Sequence, residues 1–129
     1  ELGCRDRVHF AGYRSDTAAL LPLLHLFVLP SRSEGVSIAL LEAMAAGIPV
    51  AASPAGASHE ILENGAAGTC LPGEDTQWPA LLSDLLARVH RQDPALQAQR
   101  AHAAERVRRD YSEDFCLARY ETCYQDPRS

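Results

Sequence analysis

Two glutamates and a short run of backbone amides are the groups in this sequence whose types and spacing could do chemistry. Glu34 and Glu42 are separated by seven residues, and residues 35–38 between them open a predicted helix. The first amides of a helix have no intrahelical partner and lie at the positive end of its dipole, so they suit a phosphate. Carboxylates accept hydrogen bonds from hydroxyl groups. The pattern therefore predicts a crevice for a diphosphate flanked by two polyols.

The helix that carries Glu42 is predicted over residues 37–46, with Gly47 and Pro49 ending it. It is apolar on almost every side, which predicts that it is buried. A buried carboxylate is costly unless something donates hydrogen bonds to it, and helical side chains lean toward the helix N-terminus. We therefore expect Glu42 to reach the crevice that Glu34 lines. There, the hydroxyl groups of a nucleoside diphosphate sugar would donate hydrogen bonds to both carboxylates.

The elements around this segment alternate between strand and helix before the chain closes with helices. Strands bounded by turn residues and helices with apolar residues three and four apart indicate a parallel sheet covered by helices, and ligands in such sheets bind at the carboxyl ends of the strands. The run 26–29 is typical of a strand buried on both faces. The predicted strands are 8–10, 26–29, 50–52 and 68–71, and the predicted helices are 17–24, 37–46, 58–62, 76–91, 95–110 and 112–124.

Several motifs in this order resemble a known family. They are Leu-Phe-Val-Leu-Pro-Ser at 26–31, the glutamate pair, Glu-Ala-Met-Ala-Ala-Gly-Ile-Pro-Val at 42–50, and Ala-Gly at 55–56 with the residues after it. The chain resembles the C-terminal half of retaining GT-B glycosyltransferases of the family 4 type, over nearly all of its length. The resemblance implies a Rossmann-like α/β fold, a parallel sheet flanked by helices with further C-terminal helices.

The resemblance also implies residue roles. Glu42 would hold the ribose hydroxyls, and Glu34, the catalytic candidate, would position the donor sugar rather than attack it. The residues that would contact the donor are Glu34, Gly35, Val36, Ser37, Ile38 and Glu42, with Tyr13 and Arg14 near the nucleobase. The donor would be a UDP-, GDP- or ADP-sugar, and neither a cofactor nor a metal is implied.

This sequence departs from the family pattern in two ways. Val36 and Ser37 stand where the family often has an aromatic residue and a glycine, which leaves the donor sugar open. The basic pair that neutralises the diphosphate normally lies upstream of residue 1. The resemblance therefore predicts that residues 1–129 are a partial C-terminal domain, that an N-terminal acceptor domain belongs to the parent enzyme, and that this chain alone is inactive.

Composition bounds the remaining choices. The net charge of −5 gives no electrostatic support to nucleic-acid binding, and the arginines between residues 100 and 109 are predicted to form a solvated helix face. The chain shows no apolar run long enough for a bilayer and no signal-peptide pattern, which predicts a cytoplasmic protein; peripheral membrane association of the parent stays open. The twelve basic residues are all arginine, a composition that suggests a bacterial source.

The four cysteines show no metal-ligand spacing, so they are predicted to be reduced and buried. Cys116 and Cys123, seven apart on a predicted helix, are expected to pack on one face.

Two alternatives remain beside a transferase. Another GT-B enzyme, such as a nucleotide-sugar epimerase or a phosphorylase, would share the fold. A standalone nucleotide-binding or regulatory module would bind nucleotide without needing a sugar.

Overall fold

The structure, a computed structural model, describes residues 3–125. Along them, short strands and helices alternate, and three longer helices follow. The elements are α1 (Thr17–Leu20), β1 (Phe27–Leu29), α2 (Ile38–Ala45), β2 (Val50–Ala52), α3 (Ser58–Ile61), β3 (Thr69–Cys70), α4 (Trp78–His90), α5 (Pro94–Asp110) and α6 (Glu113–Gln125).

The three strands form one parallel sheet in the order β1-β2-β3. Val50 pairs with Phe27 on one side of β2, and Ala51 pairs with Thr69 on the other. Because all three strands run the same way, the loops that follow them lie at one edge of the sheet. The expected Rossmann-like α/β fold, a parallel sheet flanked by helices, is confirmed.

The sheet separates two clusters of buried side chains, because successive residues of a strand point to opposite faces. Val50 and Ala52 pack on one face with side chains of α2 and α3, and Ala51 packs on the other with α4. The longest helix, α5, contributes Ala103 to the first cluster and Leu96 to the second. The sheet is therefore covered on both faces, which leaves its carboxyl edge as the place for a ligand.

Gly47 ends a helix as the sequence predicts, whereas the helix predicted over residues 17–24 is shorter than expected. The helix that starts at Thr17 is α-helical only to Leu20 and becomes a 3-10 turn through Pro22. Gly47 has φ +69, the left-handed conformation that follows many helices and that glycine adopts without strain.

The predicted strand at residues 8–10 is absent. Val8 has an extended backbone, but no described strand pairs with it, and Val8 and Phe10 are 51% and 93% exposed. An extended segment without a hydrogen-bonded neighbour is not a strand, so this prediction is wrong. A related correction concerns β1, which is half-buried rather than buried on both faces, because it lies at an edge of the sheet.

Two of the arginines expected on a solvated face anchor α5 instead. Arg106 donates to the carbonyls of Ile61 and Glu60 and forms ion pairs with Glu63 and Asp110. Arg100 Nε donates to the carbonyl of Gly47 at 2.5 Å. The prediction fails for these two side chains because carbonyls at the ends of α2 and α3 lack helical partners and face α5.

Two carboxylates near Arg106, those of Glu63 and Asp110, have lowered pKa values. A hydrogen bond from His102, with the nearby Arg106 charge, lowers the pKa of Glu63. Hydrogen bonds from Arg109 lower the pKa of Asp110. These carboxylates therefore favour the folded state in their ionised forms.

The cysteines are free thiols, but they are not all buried. Cys4 and Cys70 are half-buried, whereas Cys116 and Cys123 are exposed on α6. The prediction of packing residues on α6 is wrong because the described chain places nothing over that face of the helix. Burial raises the pKa of the Cys70 thiol. Within residues 3–125, no helix combines the length and the apolar character that a membrane crossing requires.

Candidate functional site

The loop between β1 and α2 lies at the carboxyl edge of the sheet and ends in an N-cap. Ser37 is buried, and its hydroxyl accepts a hydrogen bond from the amide of Leu40 at 3.4 Å. Helix α2 therefore begins cleanly at Ile38. The amides of residues 35–38 donate to no group in the part of the chain that the structure describes. They form a row of donors at the positive end of an eight-residue helix.

Glu34 stands in this loop with its carboxylate partly restrained. The hydroxyl of Ser31 donates to Glu34 Oε1 at 2.7 Å, and the side chain is half-buried. No described residue donates to the second oxygen, Oε2. Glu34 thus presents one oriented acceptor at the mouth of the loop, which suits a hydroxyl group of a ligand.

Glu42 lies on the solvent-facing side of α2, so the prediction that this helix is buried all round is wrong. The helix buries Leu40, Leu41, Ala43 and Met44 and exposes Ile38, Ala39, Glu42 and Ala45. Ile38, Glu42 and Ala45 are spaced four and then three apart, which places them along one stripe. Glu42 therefore shares the exposed face of α2 with the helix start, one turn along from Ile38. Its carboxylate is open to a ligand on this stripe.

The loop after β2 packs against residues 30–37, the loop after β1 that carries Glu34 and that we call the glutamate loop. Ser53 is buried, and its hydroxyl contacts the carbonyl of Ser31 at 2.5 Å and that of Leu29 at 3.2 Å. Farther along, the amide of Ala57 donates to the carbonyl of Gly35 at 3.1 Å. These bonds join residues 22 or more positions apart. They connect the loops that follow two neighbouring strands into one unit.

A cavity of about 590 Å³ adjoins this unit at the same edge of the sheet. Its wall combines residues from the loops after β1, β2 and β3, including Ser31, Arg32, Glu74, Asp75 and Trp78. Its volume lies in the range of small-ligand sites. Neither Glu34 nor Glu42 lines it, yet Ser31 belongs to the cavity wall and binds Glu34 as well. The cavity therefore offers room beside the glutamate loop for a group larger than a phosphate.

Tyr13 and Arg14 are placed differently from the other predicted donor contacts. Tyr13 is 95% exposed. Arg14 forms a two-point hydrogen bond with Asp16, at 2.8 and 2.5 Å, which lowers the pKa of that carboxyl. Neither residue forms a hydrogen bond or an ion pair with the glutamate loop among the described residues. The structure thus brings Glu34, residues 35–38 and Glu42 together along α2 and leaves the expected nucleobase contacts outside that group.

Sequence reasoning gave no structural role to Ser31, Ser53 or Gly56, which shape the loop; Ser31 and Gly56 entered only as parts of the motifs that carry the family resemblance. Gly56 has φ +54 and lies against the backbone of Glu34 and Gly35. A turn signal was visible in Ser-Pro-Ala-Gly at 53–56, but its partner lies two elements earlier in the chain. Among the described residues, no group of three His, Cys, Asp or Glu side chains is arranged to hold a metal ion.

Comparison with known proteins gives the family of this chain. The family model for group 1 glycosyl transferases matches residues 1–88. The chain is 29% identical over 126 residues to an N-acetyl-alpha-D-glucosaminyl L-malate synthase of Bacillus anthracis, covering 97% of this chain and 32% of that protein. It is 34% identical over 130 residues to a D-inositol 3-phosphate glycosyltransferase of Mycobacterium avium, covering 98% and 30%.

A third relative is a lipopolysaccharide core biosynthesis mannosyltransferase of Rhizobium meliloti, 31% identical over 112 residues, covering 85% of this chain and 31% of that protein. The chain thus spans about a third of the length of these three relatives. The family model covers more than half of the chain, and the relatives' names all describe transfer or synthesis with a sugar. The chain belongs to the group 1 glycosyltransferases.

Proposed function

We propose that this chain forms the donor-binding part of a retaining glycosyltransferase, and that its ligand is a nucleoside diphosphate sugar. The observation that carries the proposal is the start of α2, where four amides with no hydrogen-bond partner among residues 3–125 are flanked by Glu34 and Glu42. The diphosphate would accept hydrogen bonds from residues 35–38 at the positive end of the helix. The two carboxylates would accept hydrogen bonds from hydroxyls on either side of it.

The proposed roles of the two glutamates rest on the family resemblance and are supported by their surroundings. Glu42, exposed one turn into α2, would receive the ribose hydroxyls. Glu34, restrained by Ser31 at one oxygen, would use the other to position the donor sugar. A carboxylate that already accepts a hydrogen bond and is fixed beside the helix start is suited to orient a hydroxyl group. We therefore assign Glu34 to positioning at the reacting sugar, without a covalent intermediate.

Charge builds on the departing diphosphate as the bond to the sugar breaks. The amides at the start of α2 would stabilise this charge because they are already oriented and need no rearrangement. The acceptor would bind an N-terminal domain of the parent enzyme, and the basic groups that complete the neutralisation would come from the rest of that enzyme. We propose accordingly that this chain alone does not transfer sugar, and that the parent is a bacterial, cytoplasmic protein.

The test is nucleotide affinity, measured by calorimetry on this chain with UDP, GDP and ADP. Glu42→Gln is expected to weaken binding of the preferred nucleotide by about 1–3 kcal/mol, because hydrogen bonds to a charged acceptor are lost. Glu121→Gln provides the matched control, since Glu121 is an exposed glutamate on α6. Equal affinities for wild type and Glu42→Gln would refute the ribose assignment.

A further inference from the structure

Gly56, in the loop after β2, lies against the backbone of Glu34 and Gly35 in the loop after β1. A Cβ atom at this position would stand 2.1 Å from the carbonyl oxygen of Glu34 and 2.6 Å from that of Gly35. Carbon and oxygen cannot approach so closely, so any side chain here must displace one of the two backbones. Gly56 also has φ +54, a conformation that L residues with a side chain rarely adopt.

The neighbours of Gly56 fasten the same contact. The amide of Ala57 holds the carbonyl of Gly35, and the hydroxyl of Ser53 holds that of Ser31. Between these two bonds, Gly56 lets the backbones touch. Helix α3 follows directly, and Arg106 of α5 donates to carbonyls at its far end. The surface against which Glu34 and Gly35 rest is thus tied to the helical layer of the fold.

We infer that Gly56 is a positioning residue for Glu34 and for the amides that follow it. Because Gly56 lacks a side chain, the loop after β2 can lie directly against residues 34 and 35 and so support residues 34–38. Removing that support would turn the Glu34 carboxylate and misalign the amide row. The consequence for ligands rests on the proposed function, whereas the placement of the loop does not.

The glycines of this chain supply a complete set of controls. Gly56→Ala introduces both a close contact and a left-handed strain. Gly68→Ala introduces contacts at 2.6 Å with two core side chains, at an ordinary φ. Gly12→Ala introduces only the strain, because φ is +64 and nothing lies within 4 Å. Gly73→Ala introduces neither.

The measurement is the amide NMR spectrum of each ligand-free variant. We expect Gly56→Ala to shift the resonances of residues 34–38 more than those of the remaining core. Gly68→Ala should lower the Tm and leave residues 34–38 in place, and the other two variants should leave them in place as well. Unmoved resonances for 34–38 in Gly56→Ala, or equal movement in Gly68→Ala, would overturn the inference.

Nucleotide affinity then separates this inference from the proposed function. If wild type binds UDP, GDP or ADP, Gly56→Ala should weaken that binding by about tenfold or more, since aligned charge-assisted hydrogen bonds are lost. Unchanged affinity would contradict the positioning role. If wild type binds none of the three, the proposed function fails, and the ligand-free spectra still decide the inference.

A second variant tests the same support in case Gly56→Ala does not fold. Ser53→Ala removes the hydroxyl at the other end of the same support and adds no atoms. It should shift residues 31–36 in the same spectra. If Gly56→Ala does not fold and Ser53→Ala leaves those resonances unmoved, the loop after β2 does not position Glu34.

Discussion

The loop after β1 was expected to contact the donor, and Tyr13 and Arg14, within residues 8–16, were expected near the nucleobase; the two regions differ sharply in how the fold holds them. The loop after β1 is capped by Ser37, hydrogen-bonded by Ser53 and Ala57, and supported by Gly56. The segment at 8–16 has no paired strand, and its aromatic residues Phe10 and Tyr13 are more than 90% exposed. One half of the expected donor site is therefore built into the fold of this chain, and the other half is not.

The difference lies in what each segment follows. The loop after β1 continues a strand that pairs with β2, so its position is fixed by the sheet and by the neighbouring loop. Residues 8–16 follow no described strand, and their one two-point ion pair, between Arg14 and Asp16, is local and solvent-exposed. Exposed ion pairs of this kind stabilise structure only weakly. A site built on loops depends on the elements that hold those loops.

The largest effect is expected from Glu34. Glu34→Gln in the complete enzyme should reduce sugar transfer by roughly ten- to a hundredfold, because an interaction with the reacting sugar is weakened. Its effect on nucleotide affinity should be much smaller. Steady-state transfer rates and calorimetric nucleotide affinity, measured on the same preparations, separate the two. Equal losses in rate and affinity would contradict the positioning role of Glu34.

The next effect concerns the hydrogen bonds that hold the loop after β1. Ser53→Ala should reduce the free energy of unfolding by about 1–2 kcal/mol, because the carbonyl of Ser31 loses its donor in a partly buried setting. Urea unfolding of this chain measures the change. Ser33→Ala is the control, since Ser33 is an exposed serine of the loop after β1. An equally small effect of both substitutions would mean that Ser53 does not hold the loop.

The ion pairs between α5 and Glu63 should make the stability of the folded chain depend on pH. The pKa of Glu63 lies below its ordinary value of 4.5 in the folded chain, so its stabilisation is present above that value. It should be lost as the pH falls from about 4.5 through the lower folded pKa. Thermal melts between pH 6 and pH 3 test this. Glu63→Gln should show a flatter loss of Tm, and an unchanged acid slope would exclude Glu63 as a contributor.

The smallest effect is expected from the exposed segment. Tyr13→Ala should change the free energy of unfolding by no more than about 0.5 kcal/mol, as surface substitutions do. The same urea experiment provides the value. A loss of 2 kcal/mol or more would show that residues 8–16 are packed in solution and would remove the contrast between the two regions.

Much of the fold was readable from local patterns. The strand around Val28 and the helix ended by Gly47 are each set by residues within a few positions. The strand expected at 8–10 failed because strand formation depends on a distant partner, which an apolar triplet does not reveal. The exposed position of Glu42 was missed because α2 carries Ile38 and alanines on its open face, and apolar content alone suggested burial.

The candidate site was readable only in part, for the same physical reason. The glutamate pair and the helix start are adjacent in sequence, so their spacing indicates a shared crevice. Ser53 and Gly56 act across 22 residues on the loop of Glu34, through backbone contacts that leave no local pattern. The arginines of α5 likewise looked solvated because their carbonyl partners lie some 45 residues earlier, as with Arg106 and Ile61.

The most direct test of the account is an amide-resolved NMR titration of this chain with UDP, GDP and ADP, beside the Glu42→Gln variant. The account predicts that one nucleotide shifts resonances clustered from Glu34 to Glu42, and that Glu42→Gln weakens the response. Shifts that cluster elsewhere in the chain, or an identical response in the variant, would contradict a donor site at the start of α2.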